Sequence, residues 1–243
     1  LPAVYKTELS NRFYTTYSSE SISSDLRGNI EFCAPILWSS LTKEDKKQIG
    51  KRFDKEVVEG DQKKIDKSLA YIKLVGGMMY VNSATRKVIV EPLVNALDTA
   101  LDDWDKESAL VKQILPLSRF VPADLMPKFV TAITRTYVGY KGSSHNWSRT
   151  NFYSNGAAPS IKEMFQSFDS AGTDIFVEIV KTDATLRRRI KDQGQLERLR
   201  VLGNILLENE IASPDAEKFL EQLVDEKGTE EFFTKILPKL KKS

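Results

Sequence analysis

The residues that carry chemistry in this chain are few, and their spacing excludes most catalytic designs. There is one histidine, His145, and one cysteine, Cys33. A single His and a single Cys exclude a two-histidine metal site, a cysteine-based zinc site and an internal disulfide framework. His145 follows Ser143 and Ser144 in a polar stretch, but catalytic Ser–His–Asp sets assemble from separated segments, and no GxSxG elbow occurs. Gly76-Gly77 lacks the lysine and hydroxyl of a phosphate-binding loop and reads as close packing or a kink. Asp98, Asp102, Asp103 and Asp105 crowd one stretch, with Asp98 and Asp102 at i, i+4 on one helix face. Such a pair can hold a divalent ion, although a solvated acidic helix end is the simpler reading.

Two basic features stand out. Arg187, Arg188 and Arg189 form a run flanked by Asp183 and Asp192, suited to ion pairing on a helix surface or to bidentate phosphate binding. The stretch 125–162 holds no Asp or Glu, in a chain with 34 acidic residues among 243. It carries Lys128, Arg135, Lys141, Arg149 and Lys162, interleaved with Phe129, Tyr137, Tyr140, Trp147, Phe152 and Tyr153. Cations that meet phosphates and aromatics that stack on bases are the composition of a single-strand nucleic-acid binder. The alternative is that these rings pin a long interhelical loop to the core. Lys128, Arg135, Tyr140, Lys141, His145, Trp147, Arg149, Tyr153, Arg187, Arg188 and Arg189 are therefore the candidate nucleic-acid- or partner-binding residues. No metal site, catalytic set or cofactor is assigned.

The elements that must position these residues read as helices. Ile49, Phe53, Val57 and Val58 form an amphipathic stripe. Thr42 with Asp45 resembles a capping box, Gly60 can end that helix, and Asp61 can cap the next. Phe32, Ile36 and Leu37 also lie at helical spacing. Val88-Ile89-Val90 has strand propensity, but Val90, Leu93, Val94 and Leu97 continue at helical spacing, with Pro92 placed in a first turn. Leu125, Phe129, Ile133, Tyr137 and Val138 form a long stripe ending at Gly139, and a loop follows over 139–159. Ser170 to Thr173 reads as a break between two helices. Leu196, Leu199, Leu202, Ile205 and Leu206 make a further stripe, and Ser213-Pro214 is an N-cap with proline in the first helical position.

About a dozen such helices imply an all-α fold, one continuous body over 1–243, arranged as an antiparallel array of the HEAT or armadillo kind. Turn signals recur at roughly 15 to 25 residues, so a helix pair recurs at about 35 to 45, although no residue signature repeats. The formal net charge is +2, which excludes binding of polyanions by bulk charge alone. The longest charge-free apolar runs fall well short of the roughly 20 residues that span a bilayer, so no membrane partner is expected. The free cysteine leans towards a reducing compartment, cytoplasmic or another intracellular one. The expectation is a non-enzymatic helical scaffold or binding module that engages a protein partner, and nucleic acid through 125–162. The alternative is a metal-dependent enzyme acting on nucleic acid or a phosphate ester, with Asp98 and Asp102 on the ion.

Overall fold

A computed structural model describes residues 2–100, 103–139, 161–225 and 230–236. The described residues are helical and contain no strand. Their twelve α-helices are α1 (Ala3–Tyr17), α2 (Ser24–Ser39), α3 (Lys43–Glu59), α4 (Gln62–Leu74), α5 (Ser83–Thr99), α6 (Trp104–Ile114), α7 (Met126–Gly139), α8 (Ile161–Gln166), α9 (Ser170–Thr182), α10 (Ala184–Arg189), α11 (Gln193–Glu208) and α12 (Pro214–Val224). Short 3-10 segments occupy Gly77–Tyr80 and Leu115–Phe120, and a π-helical turn lies at Phe232–Ile236. No helix among the described residues is long and apolar enough to cross a membrane.

The chain divides into two compact units, Leu1–Ile89 and Val90–Ser243. The division falls within α5.

In the first unit, α1 packs on α2 and α4, and α3 packs on α4 and the 3-10 turn. Tyr14 and Tyr71 meet edge to face at 5.4 Å in its core, with Ile30, Phe53, Ile72 and Met78 also buried. The local start signals operate as the sequence implies. The Thr42 hydroxyl accepts from the Asp45 N–H while the Asp45 carboxylate accepts from the Thr42 N–H. Asp61 accepts from the Lys64 N–H at the start of α4. Val58, placed on the α3 stripe by its spacing, is 85% exposed. Glu56 takes the inward position instead, because Tyr14 Oη and Ser68 Oγ each approach its carboxylate at 2.7 Å and satisfy it. Gly76 is left-handed at φ 67° and ends α4 ahead of the 3-10 turn, so the Gly76-Gly77 segment is a turn rather than continuous helix.

In the second unit α7 is buried nearly all round: Phe129, Val130, Ala132, Ile133, Thr134, Thr136, Tyr137 and Val138 are all covered. It packs against α9, α10 and α11, and α11 packs in turn on α8 and α12. Val88-Ile89-Val90 is helical, as its neighbours' spacing implies, but Pro92 lies inside α5 rather than in its first turn, because the helix starts at Ser83. Ser170 opens α9 rather than breaking a helix. Asp169 is the cap, accepting from the Gly172 N–H at 2.9 Å. Ser213 caps α12 with Pro214 at its first position.

Candidate functional site

The two basic features of the sequence meet at the C-terminal end of α7. A helix end leaves carbonyl groups without intrahelical donors and carries partial negative charge. Two buried arginines bring positive charge and donors to its last turns. Arg189 Nη1 donates to the Arg135 carbonyl at 2.7 Å. Arg198 donates to the Val138 carbonyl from Nε at 3.3 Å and from Nη2 at 3.2 Å. Gly139, the last residue of α7, lies flat against Arg189: a Cβ there would sit 2.6 Å from Nη1 and 2.7 Å from Cζ. The acid-free stretch thus leaves α7 beside α10, the helix that carries Arg187, Arg188 and Arg189.

The cations at this end are anchored by acids from distant parts of the unit. Arg189 Nη2 donates to Glu107 Oε1 at 2.6 Å, with side chains 7% and 3% exposed. Arg135 donates from Nε and Nη2 to Asp183 and from Nη1 to Asp98. Burial works to lower the Arg135 guanidinium, but the hydrogen bonds and charges of Asp183 and Asp98 outweigh it, and its net shift is upward. Asp183 also caps α10 by accepting from the Leu186 N–H, so one carboxylate ties α10 to α7 and starts the helix that bears the arginine run. Tyr137 is pushed up by burial, against the lowering influence of Arg198.

The candidate residues therefore fall into three groups. Arg135 and Arg189 are committed to internal ion pairs. For Arg189 the partner is 82 positions away in sequence rather than along its own helix. Lys128 and Arg188 are exposed, Arg188 with a hydrogen bond to Thr185 Oγ1, and Arg187 is half-buried. Tyr140, Lys141, His145, Trp147, Arg149 and Tyr153 lie outside the described residues, as does the loop expected over 139–159 beyond Gly139. The aromatic residues of the stretch that are described, Phe129 and Tyr137, are core.

Two residues of the acidic cluster have partners of their own. Asp98 pairs with Arg135 at 2.5 Å. Asp103 caps α6 through the Lys106 N–H and pairs with Lys106. Asp102 lies outside the described residues. Among the described residues no three His, Cys, Asp or Glu side chains come together as a metal site. No family model, curated protein or solved structure matches the chain.

Sequence reasoning missed Glu107 and Arg198, and set Asp183 beside the arginine run rather than against Arg135. A signal existed for the first two. Glu107 lies four residues before Val111 and seven before Ile114, on the buried face of α6. Arg198 is flanked by Leu196 and Leu199 on the apolar stripe of α11. A charge on such a stripe requires a partner, and both have one. Asp183 carries only the ordinary signature of an N-cap.

Proposed function

We propose that the chain is a non-enzymatic helical binding module. Its body engages a protein partner, and the acid-free stretch 125–162 binds single-stranded nucleic acid. The observation that carries this reading is the hydrogen bond from Arg189 to the Arg135 carbonyl. It joins the arginine run on α10 to the last turns of α7, the helix from which the basic, aromatic stretch continues in sequence. Buried cations fix that root; Arg188 is exposed on α10, and Lys128 is exposed in the first turn of α7, at the helix's other end. From the sequence, Lys141, Arg149 and Lys162 add charge for phosphates, while Tyr140, Trp147 and Tyr153 supply stacking faces and His145 a polar edge.

The architecture proposed with it is a helical array of the HEAT or armadillo kind. Its support is the packing of consecutive helices, α1 on α2, α3 on α4 and α11 on α12. The packing of α7 on three later helices adds a centre that a strict stack of pairs lacks.

The test is fluorescence anisotropy of a labelled single-stranded oligonucleotide over a salt series. Arg149→Ala, Lys141→Ala and Arg188→Ala each weaken binding across sequences and flatten the salt slope by about 0.7 for each phosphate that the variant no longer neutralises. Trp147→Ala weakens it by about 1 to 3 kcal/mol per unstacked base with little change in slope. Absence of binding by the unmutated chain at low salt overturns the nucleic-acid reading. Unfolding of the Trp147→Ala variant, read by circular dichroism, shows instead that the ring is a core anchor.

A further inference from the structure

Helix α2 turns one apolar side inward and a second outward. Ile30, Ala34 and Trp38 are buried. Phe32 and Ile36, one turn apart on another side, are 74% and 63% exposed. Single exposed apolar residues are ordinary, but two large ones stacked on one helix face mark an interaction surface. Around them the outward stripe is Gly28, Asn29, Phe32, Ile36 and Ser39, without a charge, in a chain that is 29% charged. The one charged residue in that span, Glu31, is engaged with α1, where it accepts from Tyr17 Oη at 2.8 Å. A Cβ at Gly28 would meet nothing within 4 Å, so the backbone there is open to close approach.

The charges at the two ends of the stripe indicate what covers it. Asp25 stands in the first turn of α2, and Lys43 follows its C-terminal end at the start of α3, both exposed. Glu44 beside Lys43 pairs with Lys47, and Asp45 is held by the Thr42 cap, so an uncharged stripe with Asp25 at one end and Lys43 at the other is complementary to itself in the antiparallel sense. A two-fold axis crossing α2 at the level of Ala34 sets Phe32 of one copy against Ile36 of the other. It also brings the Asp25 end of each copy to the Lys43 end of its mate. A parallel pairing would instead oppose like charges at both ends. We propose that α2 is a self-association surface on which a second copy of this chain docks, antiparallel, through Phe32 and Ile36. One helix face is smaller than the roughly 1,200–2,000 Å² buried in stable interfaces, so the dimer is weak and concentration-dependent.

The sequence contains one cysteine, Cys33, and it is exposed on the shoulder of this stripe near the proposed axis. Sedimentation of the full chain over a concentration series is expected to show a monomer–dimer equilibrium in the micromolar range. A short bismaleimide is expected to trap the dimer through Cys33. Phe32→Glu and Ile36→Glu should each abolish both signals with the circular dichroism spectrum unchanged. Lys43→Glu should weaken the dimer about three- to tenfold by opposing Asp25, and adding Asp25→Lys should restore it. A chain that stays monomeric at the highest concentration, or a dimer that survives Phe32→Glu, overturns the proposal. A dimer that Phe32→Glu disrupts but that the charge swap fails to restore overturns the antiparallel arrangement.

Discussion

Replacing Glu107 with Ala should be the most damaging single change at the end of α7, and the structure allows the cost to be worked out. Glu107 and Arg189 are 2.6 Å apart and almost wholly buried. At an effective dielectric of about 20, their gross attraction is about 6 kcal/mol. Desolvating each ion costs several kcal/mol, so the intact pair is close to break-even against an apolar pair of the same size. Removing only the carboxylate leaves a buried guanidinium without its counter-charge, which costs about 3–5 kcal/mol. Glu107→Leu with Arg189→Met should cost far less than the sum of the single changes, with a coupling of about 2–3 kcal/mol. The assay is urea denaturation followed by circular dichroism, comparing midpoints at constant slope. A buried pair is little screened, so the loss should persist at high salt. A Glu107→Ala loss below about 1 kcal/mol, or additive single and double changes, would refute the reasoning, because an exposed pair behaves in that way.

Phe129→Ala and Leu202→Ala, both at fully covered positions of the second unit, should each destabilise by about 2–5 kcal/mol in the same assay. Gly50→Ala should cost about 1–3 kcal/mol in the first unit, since its Cβ would press against the Tyr80 backbone carbonyl and the chain must move to admit it. Burial raises the phenols of Tyr14, Tyr17 and Tyr71 above the ordinary tyrosine value. The folded state therefore holds these protons more tightly than the unfolded state. Their contribution is intact below about pH 10, the unfolded value, and drains away as the pH rises above it. Tyrosinate absorbance followed with circular dichroism should show the phenols of Tyr14, Tyr17 and Tyr71 ionising only as helix is lost. Reversible ionisation of these three with the helices intact would contradict the burial.

Features fixed by near neighbours were legible in the sequence. The Thr42–Asp45 capping box, the Asp61 and Ser213 caps and the α7 stripe each depend on residues within a few turns, and spacing identifies them. Which of two apolar faces goes inward was not legible. Ile30, Ala34 and Trp38 repeat every four residues, as do Phe32 and Ile36, and only the packing of α1 and α4 on α2 selects the first set. The same ambiguity put Val58 on the inner side of α3, where Glu56 goes because Tyr14 and Ser68, distant in sequence, supply its hydrogen bonds. Pro92 reads as a helix start only if the residues before it are taken for a strand or a turn. The cooperative helix runs through it from Ser83.

Arg135 shows what composition alone misassigns. The sequence counts it among five cations of an acid-free stretch, all of them open to a ligand by that count. Its acids lie outside that stretch, 37 positions before it at Asp98 and 48 after it at Asp183. A local charge count cannot see neutralisation brought about by folding. Arg135 is therefore a joint between α5, α7 and the start of α10. Its removal should cost stability, and should leave the salt slope of any nucleic-acid binding where it was. In the nucleic-acid reading proposed above, the cations left to release counterions are Lys128, Lys141, Arg149 and Lys162 of the stretch, with Arg188 added from α10. The salt slope measures that set directly, because each cation enters it only if it meets a phosphate. The acid-free composition and the buried pairs of Arg135 and Arg189 are compatible for this reason: the acids that neutralise the root come from elsewhere in the unit, and the remaining cations of the stretch stay uncompensated by any acid of its own.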